Sequence, residues 1–276
     1  MEYQHNVVGE FLDIGDGLDV HFHERGAGGE PIIFLHGGGQ GSGGWTNWKQ
    51  NLDYFAAQGY HAIAPDAIGY GLSSKPADGV YNVAFLVDCL KRYVDKRGFK
   101  KLSLVGNSMG GAMSIMFSQR FPQLLDKLVV MAPAGIGDLS SYRQMPAIKL
   151  LFEIAHEPGG VDEHKIRRLC QALAYNNAFV TDDLVRERLE VALTQPAAVF
   201  QTLDIPDLSP GFKDMKMPWL ALWGVNDQAC PVERGFDIVR ASPNSQLVVY
   251  PECGHWVQAE KEDEFNRLCV QFLQSH

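Results

Sequence analysis

Lys101-Leu-Ser-Leu-Val-Gly-Asn-Ser-Met-Gly-Gly-Ala112 is the stretch on which the reading of the whole chain turns. Apolar residues alternate up to Val105, a glycine-flanked turn runs from Gly106 to Gly110, and a helix-forming run follows as far as Arg120. The expected local structure is strand, sharp turn, helix. Glycines two residues either side of Ser108 let the backbone turn tightly enough to hold the serine, strained, at the tip. Its hydroxyl would then stand at the carboxyl end of a strand, with the first free N–H groups of the helix aimed at the same spot. Gly-x-Ser-x-Gly also describes an ordinary turn with a capping serine, so the nucleophile reading depends on partners elsewhere in the chain.

Outward from that turn, strands and helices alternate. Residues 7–14 and 18–24 read as two antiparallel strands joined at Asp16-Gly17. His21 and His23 share one face of the second, which is expected to meet solvent; a metal pair is the less economical alternative. Residues 31–35 form a short unbroken apolar run, as in a strand buried on both faces of a parallel sheet, and it empties into His36-Gly37-Gly38-Gly39. Three glycines there imply that the backbone closely approaches something. Beside a serine nucleophile that is the developing oxyanion, with the N–H groups of Gly38 and Met109 as donors. A phosphate-binding loop is disfavoured, because no Gly-Lys-Ser/Thr or GxGxxG register follows.

A helix over 47–58, a strand over 60–65, a turn-rich loop over 66–73 and a helix over 81–98 come next. In the loop, Asp66 and Ser73 are taken as structural. Beyond the serine helix lies a buried strand over 127–133. The rhythm then breaks. Residues 134–217 read as mostly helical, punctuated by Pro146, Pro158, Pro196 and Pro206. A strand over 218–224, a helix over 232–241, a strand over 246–250 and a closing helix over 261–274 restore the pattern. Steady alternation implies right-handed crossovers and a mostly parallel central sheet flanked by helices. The expected organisation is an α/β core of 1–133 and 218–276, with 134–217 inserted as a helical cap.

The chain has 276 residues, enough for one large α/β domain with an insertion, and its 46% hydrophobic and 21% charged content is ordinary for a globular protein. A net charge of −9 without any Lys/Arg block argues against nucleic-acid binding. No apolar run approaches the ~18 residues of a membrane span, and the start lacks signal-peptide character. Five scattered cysteines without CxxC spacing read as reduced thiols of a cytoplasmic protein. No metal or cofactor is called for.

A serine hydroxyl needs a base within hydrogen-bond reach, itself oriented by a carboxylate. Of nine histidines, only His255 follows a late sheet strand, in Pro251-Glu-Cys-Gly-His-Trp256. Among strand ends, the one at Met131 leads to no carboxylate, while the one at Gly224 leads to Asp227. Ser108, Asp227, His255 is the α/β-hydrolase order.

With those residues in place, the chain resembles the α/β-hydrolases and, within them, the meta-cleavage product hydrolases, which cut a carbon–carbon bond in ring-opened catechol products. The motifs are His36-Gly-Gly-Gly39 with Gly43-Gly-Trp-Thr-Asn47, Gly106-Asn-Ser-Met-Gly-Gly111, and Gly254-His-Trp256 with Glu264-Phe-Asn-Arg267. The resemblance implies a small anionic substrate, a 2-hydroxy-6-oxo-hexa-2,4-dienoate, and a homodimer or higher homo-oligomer. It implies that Ser108 adds to the C6 carbonyl with His255 as base, and that Arg188, on a helix near 181–190, grips the carboxylate bidentately. Arg186 is the rival; two residues apart on a helix, the two face different ways. Asn47 and Asn107 match positions that contact the C1/C2 oxygens, Trp256 matches a pocket-lining residue, and Gly37 and Gly39 belong to the same loop. Met113, Met145, Ile148, Phe152 and Phe179 are expected apolar lining. Gln40 stands where proline is common, which is expected to change only loop stiffness. Ala229 and Cys230 are small where relatives acting on phenyl substrates carry a larger pair, implying room for a bulky or aryl C6 substituent. A carboxylesterase with the same triad, which would not need Arg188, and a non-catalytic ligand receptor are the alternatives.

Overall fold

The computed structural model describes residues 9–157 and 159–275. Val7 and Val8 of the expected first strand, and Pro158, lie outside the described residues. Two antiparallel strands, β1 (Glu10–Gly15) and β2 (Leu18–Arg25), precede β3 (Glu30–Leu35), α1 (Gly44–Ala57), β4 (Tyr60–Pro65) and α2 (Val83–Lys96). Next come β5 (Leu102–Asn107), α3 (Met109–Arg120) and β6 (Leu125–Met131). Between β6 and β7 the elements are helical: α4 (Ser140–Gln144), α5 (Pro146–His156), α6 (Glu163–Leu173), α7 (Asp182–Ala192) and α8 (Ala198–Thr202), with short 3-10 turns. The chain closes with β7 (Trp219–Gly224), α9 (Glu233–Ala241), β8 (Ser245–Tyr250), α10 (Val257–Glu260) and α11 (Glu262–Gln274).

The eight strands form one sheet in the order β1-β2-β4-β3-β5-β6-β7-β8, parallel from β4 onward. The unbroken apolar runs have a physical origin. In β3 and β5, Ile33, Leu35, Leu102 and Leu104 enter the core on one face. Ile32, Phe34 and Val105 enter a second core on the other, with Trp48, Phe55 and Phe265. A strand covered on both faces has no polar positions to alternate with. No helix among the described residues is long and apolar enough to cross a membrane.

One expectation fails in β2. His21 and His23 do not face solvent; they are 2% and 6% exposed. His21 Nδ1–H donates to Asp66 Oδ2 at 2.8 Å, and the His23 ring packs 4.7 Å from Trp45 at the start of α1. Alternation could not reveal this, because the cover comes from α1 and the loop after β4. Asp66 is the hub of that loop: it also accepts from Gly44 N–H (2.6 Å) and Leu72 N–H (2.8 Å), and its carbonyl accepts from Ser73 Oγ (2.7 Å). Burial by itself would raise the Asp66 carboxyl, but the hydrogen bonds from His21 and from Leu72 N–H outweigh it and hold it below the usual carboxylate range.

A carboxylate with a depressed folded-state value contributes stability above its unfolded value of about 3.9, and that contribution is lost as pH falls through the lower folded value. Asp66→Asn is therefore expected to destabilise the protein by about 3 kcal/mol at pH 7, with the gap to the parent narrowing below about pH 4. Urea unfolding at pH 7 and pH 3.5 checks this; a gap that widens on acidification would refute it.

Candidate active site

Ser108 sits between β5 and α3 with φ 56° and ψ −116°, a sparsely populated conformation for a residue with a Cβ. Three backbone bonds hold it there: Ser108 N–H to Met131 O (3.0 Å), and Ala112 and Ala134 N–H to Ser108 O (3.0 and 3.2 Å). The flanking glycines are required by contact. A Cβ on Gly106 would lie 2.3 Å from Gly110 O, and one on Gly110 would lie 2.2 Å from Leu35 O. The turn is thus wedged against the end of β3.

The loop after β3 lies directly over this turn. A Cβ on Gly37 would stand 3.5 Å from Ser108 Cβ, and one on Gly38 would stand 3.3 Å from Met109 Cβ, so Gly38 lies against the Met109 side chain. Met109 opens α3, where N–H groups have no intrahelical acceptor. His36 fixes the loop: its Nδ1–H donates to Gly37 O (2.7 Å), and its Nε2 accepts from Ala67 N–H (3.0 Å). Burial lowers the His36 pKa, which favours the neutral ring this pattern requires. Tyr70, which the sequence reading passed over, donates from its hydroxyl to Gly38 O (3.2 Å).

His255 and Asp227 come together from the loops after β8 and β7. His255 Nδ1 and Asp227 Oδ2 are 2.8 Å apart, and both residues are buried. Asp227 Oδ1 accepts from Ala229 and Cys230 N–H (2.7 and 3.0 Å), which aims the other oxygen at the ring. A carboxylate only accepts, so Nδ1 carries the proton and Nε2 is left as the basic nitrogen. The His255 backbone is pinned from two sides, by Asn107 Nδ2–H on its carbonyl (3.1 Å) and by its own N–H on Leu173 O of α6 (2.8 Å). Glu260, also unanticipated, accepts from Gly254 N–H (3.0 Å) and Tyr175 N–H (2.7 Å), tying the His255 loop to the helical segment.

Ser108 and His255 line one cavity, with Gly37, Gly38, Gly39, Asn47, Asn107, Arg188, Ala229 and Trp256 in its wall. The serine, the imidazole and the guanidinium expected from distant parts of the chain therefore converge. Arg188 is 4% exposed, and among the described residues the acceptors it meets are neutral: Asn47 Oδ1 (3.2 Å) and Ser42 Oγ (3.5 Å). Its guanidinium carbon lies 4.5 Å from the Trp256 ring centroid, and its Nε is buried without a hydrogen-bond partner among the described residues. Burial pulls the Arg188 pKa below its ordinary value. Arg186 instead has a side chain 64% exposed and pairs with Asp183, so it is not in the cavity.

Several lining expectations are corrected. Ile148 lines the cavity, but Phe152 is 43% exposed on the outer side of α5 and Met113 lines a separate cavity with Tyr93 and Leu90. Phe179 stacks on Trp256 from outside the cavity wall (6.2 Å), and Met145 is not part of the wall. In their place stand Ala147, Leu151 and Leu173. Only the turn of each helix decides such points. Gln40 does more than alter loop stiffness, since its Nε2–H donates to Leu151 O of α5 (3.3 Å). Ala229 faces the cavity, whereas the Cys230 thiol sits against the Ser108 hydroxyl and its carbonyl accepts from Trp223 Nε1–H (3.0 Å). Burial pushes that thiol well up, so it stays protonated.

Residues 32–268 match the model of the alpha/beta hydrolase family. A 2-hydroxy-6-oxo-6-phenylhexa-2,4-dienoate hydrolase from Comamonas testosteroni is 35% identical over 271 residues, spanning 95% of this chain and 93% of that protein. A hydrolase of the same name from Burkholderia cepacia is 34% identical, spanning 99% and 98%. The chain belongs to the α/β-hydrolases and, within them, to the meta-cleavage product hydrolases. The solved meta-cleavage product hydrolase from Pseudomonas fluorescens IP01 superposes on this hydrolase with a TM-score of 0.85 at 27% identity, covering 96% of this chain and 97% of that one.

Proposed function

We propose that this hydrolase cleaves the C5–C6 bond of 2-hydroxy-6-oxo-hexa-2,4-dienoates, giving 2-hydroxypenta-2,4-dienoate and a carboxylic acid. The observation that carries the reading is the buried Arg188, with neutral acceptors, in the wall of the same cavity as Ser108. A buried guanidinium is costly unless something anionic complements it, and a substrate carboxylate does so with two parallel hydrogen bonds. An esterase acting on neutral esters has no use for it.

Direct scission would expel a carbanion, so the dienol first ketonises by protonation at C5, which lets the C2 carbonyl take up the electrons. His255 Nε2 accepts the 2-hydroxyl proton and returns a proton to C5, which leaves the ring neutral again, and Asn47 and Asn107 lie at the C1/C2 end of the substrate. Ser108 then adds to the C6 carbonyl while His255 takes the hydroxyl proton, and the oxyanion is held by Gly38 and Met109 N–H. Collapse of the adduct breaks C5–C6, leaving the acyl group on Ser108; the dienolate takes the proton held by His255 and departs as 2-hydroxypenta-2,4-dienoate, which frees Nε2 again. Water activated by His255 frees the acid.

Residues 134–217 serve as a cap over the strand ends of the 1–133 and 218–276 core, supplying Arg188 and the Ala147, Ile148 and Leu151 wall. Five free, buried cysteines support a cytoplasmic setting. The uncharged edge strand β8, Ser-Gln-Leu-Val-Val-Tyr, is available for the homo-oligomer that the family likeness implies.

The test is to follow the loss of yellow colour with methyl-, phenyl- and fused-ring dienoates; turnover of simple esters but of no dienoate would refute the reading. The small Ala229 points to a bulky or aryl C6 substituent. Ala229→Val is expected to lower kcat/KM for the phenyl dienoate about tenfold while leaving the methyl dienoate within about threefold. Equal losses on both would show that Ala229 does not border the C6 group.

A further inference from the structure

The loop over the serine turn contains three consecutive glycines, Gly37, Gly38 and Gly39, whose backbone has little steric preference of its own. Other groups must therefore hold it in one conformation, and each of its three carbonyls is tied. Gly37 O accepts from His36 Nδ1–H (2.7 Å), Gly38 O from the Tyr70 hydroxyl (3.2 Å) and Gly39 O from Ser42 N–H (3.2 Å). Two of these bonds come from within the loop's own surroundings in the chain. The third, at Gly38, comes from a side chain 32 residues away.

The Tyr70 hydroxyl also stands 3.5 Å from Met109 Sδ, and a Cβ on Gly38 would lie 3.1 Å from that same sulfur. One hydroxyl thus touches both residues whose N–H groups are read as the oxyanion donors. Tyr70 itself is held firmly. It is fully buried, its ring centroid lies 5.0 Å from that of His36, and its N–H donates to Ala67 O (2.9 Å). A Cβ on the next residue, Gly71, would run into the Asp66 carboxylate, so the turn that carries Tyr70 is packed against Asp66. Burial pushes the Tyr70 phenol up, which keeps its proton available to donate.

We propose that Tyr70 is a positioning residue for the oxyanion hole. Its hydroxyl holds the Gly38 carbonyl beside the Met109 side chain at the start of α3, and so fixes the loop whose N–H must meet the oxygen as it gains charge. Donors placed in advance stabilise the transition state without reorganising; a loosened glycine loop has to be ordered during the reaction. The proposal rests on the reading of Ser108 as nucleophile with Gly38 and Met109 as oxyanion donors. It adds a residue that is not part of the cavity wall.

Tyr70→Phe tests it, because it removes the hydroxyl and keeps the ring. The variant is assayed on the 6-phenyl dienoate, on p-nitrophenyl acetate, and for inhibition by phenylboronic acid, whose adduct with Ser108 is a tetrahedral anion like the reaction's own. On both substrates kcat/KM is expected to fall about tenfold, and Ki for the boronic acid to rise about tenfold. Adding Tyr70→Phe to Ser108→Ala is expected to change dienoate binding, read from its spectrum, by less than about twofold. Ki does not depend on the fraction of protein that is folded, so a variant that is merely less stable leaves it unmoved.

An unchanged Ki would overturn the proposal, as would boronic acid and ground-state dienoate weakened to the same extent. A loss of kcat/KM confined to one substrate would also sink it, since both pass through an oxyanion. If the parent binds no boronic acid, the reading of Gly38 and Met109 fails and takes the proposal with it. A parent that turns over the ester but no dienoate defeats only the functional reading; the ester and the boronic acid then decide the role of Tyr70.

Discussion

Ser108→Ala is expected to lower kcat on the dienoate by about a thousandfold or more while leaving the fold and substrate binding intact. The serine is held at φ 56° by backbone bonds from Ala112 and Ala134 and to Met131, none of which uses its hydroxyl. Alanine therefore inherits the same backbone, with no new strain and no lost core contact. What goes is the one oxygen that can form the acyl intermediate. His255 and the Gly38 and Met109 N–H groups remain, and water delivered by the imidazole accounts for the residual rate. The check is steady-state kcat together with the spectrum of bound dienoate. A loss smaller than about tenfold would mean that water attacks directly and the covalent route is wrong. Ser108→Gly supplies a control, since glycine tolerates positive φ: it should be as inactive as alanine yet no less stable.

Arg188→Ala carries the second large effect. Its guanidinium is buried against Asn47, Ser42 and the Trp256 ring, so a carboxylate docked there exchanges water for a charge-assisted, desolvated pair. Truncating one partner of such a pair costs about 2–5 kcal/mol, which sets an expected fall in kcat/KM of about a hundredfold or more on dienoates. Hydrolysis of p-nitrophenyl acetate should stay within about threefold, because Ser108, His255 and Asp227 are untouched. Arg188→Lys should recover little, as an ammonium cannot present two parallel donors. Arg186→Ala should be silent within about twofold, its side chain being solvent-exposed and paired with Asp183. Equal losses on ester and dienoate would show that Arg188 props the cavity open without reading the substrate.

Much of this could be read before any coordinates. Residues 31–35 of β3 and 219–223 of β7 are apolar throughout because both sheet faces are covered, and that pattern is local. The Ser108 turn was legible from its glycines, whose absent side chains leave room for Gly110 O and Leu35 O. Asp227 and His255 followed from which strand ends carry a carboxylate and which an imidazole. Choosing Arg188 over Arg186 needed the family likeness as well as the helix period.

Other points were not legible. Nothing in Leu18–Arg25 says that α1 covers His21 and His23, or that Asp66, 45 residues away, accepts a hydrogen bond from His21. Phe152 and Leu151 are equally apolar neighbours on α5; one faces solvent and the other the cavity. Gln40 meeting Leu151 O, Tyr70 meeting Gly38 O and Glu260 bridging Gly254 to Tyr175 join segments that share no motif.

From the amino-acid sequence alone came the sheet, the strained serine turn and the candidates for the reacting groups, because each follows from short-range periodicity, backbone sterics or the chemistry of a residue type. Tertiary structure alone decided which polar groups are dry and which helix faces line the cavity. Burial and electrostatics depend on what packs against a residue from far along the chain, and no local pattern carries that information.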